Sequence, residues 1–245
     1  MAHSAVRGQK GGDRTTRPTS IGADDPSYPA SLGTGGGAPA WPLLEVIGDS
    51  ALLERETLGL VCSVRCPGSV ILATYEFASR VPLDSLAVAG GFHSPMERQC
   101  LEILLARHVP TILCPARPLR GMMIRSLWRV PISEGRLLIL SPFVRGNRRA
   151  TEGTAYRRNL FVAALCDTLF VPYASPGGST ERVVLAAANC KKRFLTVACN
   201  DQTLLKEVAA VPIEDQMLLW RMEQSRGSDE TRAENAKGGP RWPPF

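Results

Sequence analysis

Six short, unbroken apolar runs separated by amphipathic segments are the feature that most constrains the fold of this chain. The runs are Leu58–Cys62, Leu86–Ala89, Pro110–Cys114, Arg136–Ser141, Thr168–Pro172 and Phe194–Ala198. Continuous rather than alternating apolar character indicates strands that are buried on both faces of a sheet. Because strands that alternate with helices join through crossovers, such a sheet is parallel. The chain is therefore predicted to be α/β, a Rossmann-like three-layer αβα domain with a mainly parallel sheet.

The helical segments between these runs define one domain. They are predicted at Val70–Arg80, Pro95–His108, Met122–Trp128, Thr151–Cys166, Thr180–Asn189 and Glu214–Met222. A chain of 245 residues has room for one such domain, which we expect over residues 41–220. Residues 1–40 and 221–245 are rich in glycine and proline or in charge, so both are expected to be disordered tails.

Composition excludes several classes of protein. Apolar residues make up 44% of the chain, but no run approaches the ~20 residues of a membrane helix, so no membrane partner is expected. The seven cysteines are scattered and odd in number, which favours a reducing, cytoplasmic compartment over a disulfide framework. No cysteine or histidine pairs have metal-ligand spacing, and neither metal nor cofactor is predicted. The net charge of +6 suits an anionic partner, although solubility alone would also produce it.

In a doubly wound sheet, ligands bind where loops leave the carboxyl ends of the strands. The loop after the first run carries Ser63 and Arg65, a hydroxyl and a cation ahead of a helix that could hold a phosphate. The loop after the second run carries Gly90, Gly91 and His93. Paired glycines allow a ligand to approach the backbone closely, and His93 could donate to a phosphate. Alternatively, these residues only form turns between a strand and a helix and bind no ligand.

A basic stretch follows the third run. From Arg117 to Arg158 the chain has ten arginines and two acidic residues, a local excess of eight positive charges. Arginine makes bidentate contacts with phosphates and stacks on bases. A solvated basic face would produce the same composition. Within this stretch, Arg158 and Asn159 lie on the long helix before the fifth run, and Arg158 is expected to face a loop.

The loop after the fifth run is the most informative of the set. It contains Gly177, Gly178, Ser179 and Thr180 between an apolar strand and a helix. Two glycines and two hydroxyls can wrap a phosphate while backbone N–H groups point at it. A simple helix cap would explain one of the hydroxyls but not the glycine pair.

The order of these motifs resembles the Rossmann-like domain of the DNA-processing protein A (DprA/Smf) family. The resemblance spans residues 50–200 and rests on Ser63 with Arg65, Gly90-Gly91, Arg158-Asn159 and Gly177–Thr180. It implies a nucleotide-fold domain that binds single-stranded DNA, forms a homodimer and assists a recombinase in natural transformation, without catalysis. The chain departs from the family pattern at Cys62, in the segment after Gly91 and at Leu160. These departures leave a small nucleotide open as the ligand.

The segment from Pro176 to Glu181 also resembles the phosphate loop of the lonely-guy phosphoribohydrolases, which cleave the N-glycosidic bond of nucleoside monophosphates. That resemblance implies catalytic roles for Arg158 and Glu181, although Glu181 comes too early in the loop. Three hypotheses follow. The favoured one is a non-catalytic module that binds a nucleotide or single-stranded DNA at the residues named above and at Arg117. The others are a nucleotide hydrolase and a scaffold whose pocket has lost its ligand.

Overall fold

The computed structural model describes residues 17–33, 41–82, 86–146, 149–190, 192–198 and 203–213. The strands in these ranges are β1 (Thr19–Gly22), β2 (Leu43–Ile47), β3 (Glu56–Leu60), β4 (Leu86–Gly90), β5 (Thr111–Leu113), β6 (Leu137–Ser141), β7 (Thr168–Phe170), β8 (Arg193–Thr196) and β9 (Val211–Pro212). They form one sheet in the order β1-β2-β6-β5-β4-β3-β7-β8-β9. β1 and β2 pair antiparallel, as do β2 and β6, and every other pairing is parallel.

Helices cover both faces of this sheet. They are α1 (Gly68–Ala78), α2 (Pro95–Ala106), α3 (Ser126–Ser133), α4 (Glu152–Leu165), α5 (Ser179–Asn189) and α6 (Thr203–Glu207). Apolar side chains of α1, α2 and α3 pack in one core on one face, and those of α4, α5 and α6 pack in a second core on the other. All five residues of β4 and of β6 are buried, as expected for strands covered on both sides. The predicted three-layer α/β fold with a mainly parallel sheet is confirmed.

The N-terminal boundary of the predicted domain is wrong. Within the predicted tail of residues 1–40, β1 pairs with β2, and a 3₁₀ turn at Ala30–Leu32 follows it. Ile21 and Leu32 are only 5% and 4% exposed, in the same core as α4. Their burial anchors this segment, because two apolar side chains removed from water offset part of the ordering entropy. Residues 1–16 and 34–40 and everything from 214 onward, including the predicted helix at Glu214–Met222 and the second tail, lie outside the described residues.

The third helix is also displaced from its prediction. It begins at Ser126 rather than near Met122, since Arg125 before it has an extended backbone, and Gly121, just ahead of the predicted start, has a left-handed φ of 73°. Leu119 and Ile124 are buried on either side of that glycine and hold the preceding segment against the core. None of the helices in the described part of the chain combines the length and apolar character needed to cross a bilayer.

Hydrogen bonds connect neighbouring segments at the edge of the sheet where the parallel strands begin. Asp167 accepts hydrogen bonds at 3.0 Å from both the backbone N–H and the hydroxyl of Thr57. The Lys192 ammonium donates to the carbonyls of Ala164 and Cys166, at 3.0 and 2.6 Å, near the end of α4. The loops in which a doubly wound sheet binds its ligands are those at the opposite edge, where the parallel strands end.

Candidate nucleic-acid interface

The order of the strands defines a crevice between β3 and β7. After β3 the chain proceeds through β4, β5 and β6 on one side, then returns to β7 on the other side of β3. The loops that leave these two strands diverge, so a ligand site opens between them. We call the loops at this edge the cradle. It comprises residues 61–66 after β3, 91–94 after β4, 114–117 after β5 and 171–181 after β7, together with the Arg158 side chain, which α4 places against the second and third of these loops.

Ser63 joins two of these loops directly. Its backbone N–H donates to the Tyr173 carbonyl at 3.0 Å, and its hydroxyl oxygen accepts from the Ser175 N–H at 2.8 Å. The Ser175 hydroxyl in turn donates to the Arg65 carbonyl at 3.4 Å. Ser63 is buried, whereas the Arg65 side chain is exposed. Ser63 therefore holds the cradle together, and Arg65 is the group of this loop that can meet a ligand in solvent.

Arg158 is the most unusual residue of the cradle. Its side chain is only 4% exposed, and it faces the loops after β4 and β5 from within the protein. The guanidinium donates from Nε to Asn159 Oδ1 at 2.7 Å and from Nη1 to the Cys114 carbonyl at 3.2 Å. No carboxylate among the described residues lies within ion-pair distance of it. Burial consequently lowers the pKa of Arg158, and the negative charge of Glu97 only partly opposes this effect.

Gly91 makes the position of Arg158 possible. A Cβ atom at Gly91 would lie 1.5 Å from Arg158 Nη1 and 1.9 Å from Cζ, so no other residue fits there while the guanidinium stays in place. The neighbouring Gly90 is buried at the end of β4, where a Cβ would meet the Leu60 carbonyl and the Phe92 ring at 3.2 Å. Phe92 itself has a φ of 44°, which is rare for a residue with a side chain. The loop after β4 is thus shaped around the buried guanidinium.

Glu97 places a buried carboxylate at the other end of the loop after β4. It is 5% exposed, and its carboxylate accepts hydrogen bonds at 3.0 Å from the N–H groups of His93 and Ser94. This contact is half of a capping box that begins α2. The His93 side chain is exposed. Its backbone therefore helps to shape the loop, while its ring is available to solvent. Sequence reasoning missed Glu97, although the Ser94–Glu97 spacing is the signal of a capping box.

The glycine pair after β7 forms a tight turn into α5. Gly177 has a left-handed φ of 68°, and a Cβ at Gly178 would lie 2.8 Å from the Ser175 carbonyl oxygen. Both positions therefore require glycine. Ser179 is exposed at the first position of α5, and Thr180 is buried. The Glu181 carboxylate accepts a short hydrogen bond from the Gly177 N–H. The Gly177 N–H is thus already bound to a carboxylate, although an anionic ligand could otherwise accept its hydrogen bond.

The basic stretch does not form one surface. Arg117 is half-buried in the loop after β5, where its carbonyl accepts from the Ser141 hydroxyl at 2.8 Å. Arg136 precedes β6 at the opposite edge of the sheet and pairs with Glu134. Arg125 stacks on the Trp128 ring. The cradle therefore receives Arg117 and Arg158 from this stretch, and Arg148 lies outside the described residues.

Two open clefts of about 500 and 410 Å³ lie elsewhere. Asp49 and Gly135 line both, at the edge where β3 and β6 begin. Neither cleft contains a residue of the cradle. Within the described residues, no group of three or more histidine, cysteine or acidic side chains is arranged to hold a metal ion.

Fold and site together define a doubly wound α/β protein with a cationic crevice at its switch point. Solved structures with this fold include DNA processing protein A from Helicobacter pylori, with a TM-score of 0.67 and 16% identity over 85% of this chain and 96% of that one. DNA processing protein A from Streptococcus pneumoniae gives 0.61 and 16%, over 83% of this chain and 69% of that one. The chain thus shares the fold of the family that the motifs resemble. At the level of sequence, no family model and no curated protein matches it.

Proposed function

We propose that this protein binds single-stranded DNA through phosphate contacts in the cradle and has no catalytic activity there. The observation that carries the proposal is the Arg158 guanidinium, which is 4% exposed and has no carboxylate partner within the described residues. A buried, unpaired charge costs several kcal/mol. A phosphate in the crevice would supply the missing negative charge. The cradle adds the exposed cation of Arg65 and the exposed hydroxyl residue Ser179 at the start of α5.

The structural neighbours support the choice of ligand. The Helicobacter pylori protein is described by its single-stranded DNA binding mode, and it covers 85% of this chain. A mononucleotide would use the same phosphate contacts, so it is the comparison ligand for any test.

The alternative hypothesis, a nucleotide N-glycosidase, requires the Glu181 carboxylate to reach a ribose or a leaving base. In the structure this carboxylate accepts a hydrogen bond from Gly177 of its own loop. This hydrogen bond keeps the carboxylate within its own loop, which does not favour glycosidase chemistry. Homodimer formation, a recombinase partner and a cytoplasmic location stay predictions of the sequence resemblance.

The test is fluorescence anisotropy with a labelled single-stranded oligonucleotide, a duplex of the same sequence and a mononucleotide competitor. The wild type should bind the single strand most tightly, and log K should fall with log[salt] by about 0.7 per phosphate neutralised. Arg158→Met should weaken binding at least about tenfold, equivalent to ~1.4 kcal/mol. Arg193→Ala is the matched control, because it removes one positive charge at the opposite edge of the sheet.

Stability measurements separate a binding defect from unfolding. Methionine fills a volume close to that of Arg158 without a charge, so Arg158→Met should melt at or above the wild-type temperature. A folded variant that binds as tightly as wild type would overturn the role of Arg158. Absence of any binding by wild type at low salt would overturn the proposed function.

A further inference from the structure

Two arginines beside the cradle lie on aromatic rings. The Arg182 guanidinium on α5 lies 4.2 Å from the centroid of the Tyr156 ring on α4. The Arg157 guanidinium lies 5.6 Å from the centroid of the Phe143 ring, in the segment that follows β6. Both arginine side chains are exposed. We call these four residues the Arg–aromatic row.

The row continues the cradle along the same edge of the sheet. α4 and α5 pack against each other, and both begin at the edge where the parallel strands end. Arg182 follows Glu181, whose carboxylate is bound to Gly177 of the cradle. Phe143 follows the end of β6. The four residues therefore extend from the turn after β7 across the first turns of two helices toward the end of β6.

The chemistry of these cation–π pairs suits a nucleic acid strand. A guanidinium attracted to a ring is restricted in position, while its other face remains free to contact a base and its N–H groups can donate to a phosphate. Among the described residues, no carboxylate forms an ion pair with Arg182. Base stacking of this kind tolerates any sequence, because every base has a π-face.

We propose that the Arg–aromatic row is a second contact region for single-stranded nucleic acid, used by strands too long for the cradle alone. The proposal rests on the proposed function, because the row extends a strand that the cradle anchors. Arg182 stacked on Tyr156 is its principal contact, next to the cradle, and Arg157 on Phe143 extends it farther along α4.

The experiment compares oligothymidylates of about 4 and about 15 nucleotides, the range of site sizes seen for single-strand binding domains. The wild type should bind the longer strand more tightly than the shorter one, by more than the statistical gain from the larger number of positions at which a short binding site can engage a long strand. Arg182→Ala should weaken binding of the longer strand roughly tenfold and change binding of the shorter strand less than twofold. It should also reduce the salt slope of the longer strand by about one. Arg182→Lys should restore the salt slope but only part of the affinity, because lysine keeps the charge and loses the planar stack.

Arg193→Ala again provides the control of equal charge, and melting temperatures establish that each variant is folded. Equal effects of Arg182→Ala and Arg193→Ala on the longer strand would overturn the proposal, since net charge alone would then be responsible. Equal weakening of both strand lengths by Arg182→Ala would overturn it too, because Arg182 would then belong to the cradle. If wild type binds neither strand, the proposed function itself fails. If it binds both and Arg182→Ala has no effect, only the second region fails.

Discussion

At the scale of single residues, the cradle depends on positions where a side chain would exclude another group. Gly91 is the strictest of these, because its missing Cβ is where the Arg158 guanidinium lies. Helical position alone could not predict that Arg158 is buried, since its neighbour Arg157 in α4 is exposed. The resemblance singled out Gly91 and Arg158 separately, as parts of two different motifs. Their direct contact is visible only in three dimensions, because it depends on how α4 packs under the loop after β4.

Gly91→Ala should displace the Arg158 guanidinium and weaken DNA binding as much as Arg158→Met does. The added Cβ would lie 1.5 Å from Nη1, so the side chain or the loop must move. We expect a loss of unfolding free energy of about 1–3 kcal/mol, typical of an overpacked interior site. Urea unfolding and anisotropy measure the two effects. Gly68→Ala is the control, because nothing lies within 4 Å of its added Cβ at the start of α1. Wild-type binding by Gly91→Ala would show that the guanidinium is not required where it lies.

Glu181→Gln separates the two functional hypotheses. Glutamine can still accept the hydrogen bond from Gly177, while the negative charge beside the anion site disappears. Affinity for single-stranded DNA should therefore rise about two- to fivefold, from the 0.3–1 kcal/mol typical of a charge near a helix N-terminus. Glu102→Gln, an exposed position on α2, controls for net charge. Release of free base from a nucleoside monophosphate by wild type, abolished in Glu181→Gln, would instead establish a hydrolase.

At the scale of elements, hydrophobic pattern predicted six of the seven strands that pair in parallel, and it missed β9 together with the antiparallel β1 and β2. The six predicted strands are largely buried on both faces, so their sequences are continuous apolar runs that are easy to read. β2 has a charged residue at its centre. Glu45 is 7% exposed, and its carboxylate accepts from the Leu119 N–H at 2.6 Å, which holds the loop after β5. A tertiary contact thus satisfies a charge that would argue against a strand in the sequence.

β1 was missed because its burial is confined to one residue. In the four-residue strand, Thr19 and Ser20 are exposed and Ile21 is buried. Ile21→Ala should lower the free energy of unfolding by about 2–4 kcal/mol, the usual result for removing a buried aliphatic side chain. Ser20→Ala should change it by less than about 0.5 kcal/mol, since the side chain is at the surface. Urea denaturation of the full chain measures both. Equal stability of the two variants would mean that β1 does not pack on the core as described.

At the scale of the whole molecule, the two edges of the sheet have different roles. The edge where the parallel strands begin has structural contacts such as those of Asp167 and Lys192. The edge where they end has the glycines, the buried guanidinium and the arginines that lie over aromatic rings. The sequence predicted that the loops after the strands gather at one edge, because the topology of a doubly wound sheet brings all loops after parallel strands together. The sequence could not predict which arginines reach that edge, since this depends on which side of each helix packs against the sheet.

Buried thiols should make the whole fold sensitive to alkaline pH. Burial raises the pKa of Cys100 and Cys114 to about 12 and shifts those of Cys62 and Cys166 well above the ordinary 9.0. Between pH 9 and 12 the native state keeps protons that the unfolded chain releases. Below pH 9, these thiols should therefore leave the free energy of unfolding unchanged. Above pH 9, each thiol should lower the free energy of unfolding by up to ~1.4 kcal/mol per pH unit.

Lys192 and Arg158 act in the opposite direction, because burial lowers their pKa and the unfolded chain binds the additional protons. Two such groups against four strongly shifted thiols leave a net loss of stability with rising pH. Urea midpoints at about pH 8 and about pH 10, in a reductant that contains no thiol, measure it. Cys166→Ala should reduce the dependence on pH by the contribution of one thiol, although it also removes a buried side chain. A free energy of unfolding that stays constant from pH 8 to pH 10 in wild type would contradict the assignment, because it would require the thiols to be as ionised in the native fold as in the unfolded chain.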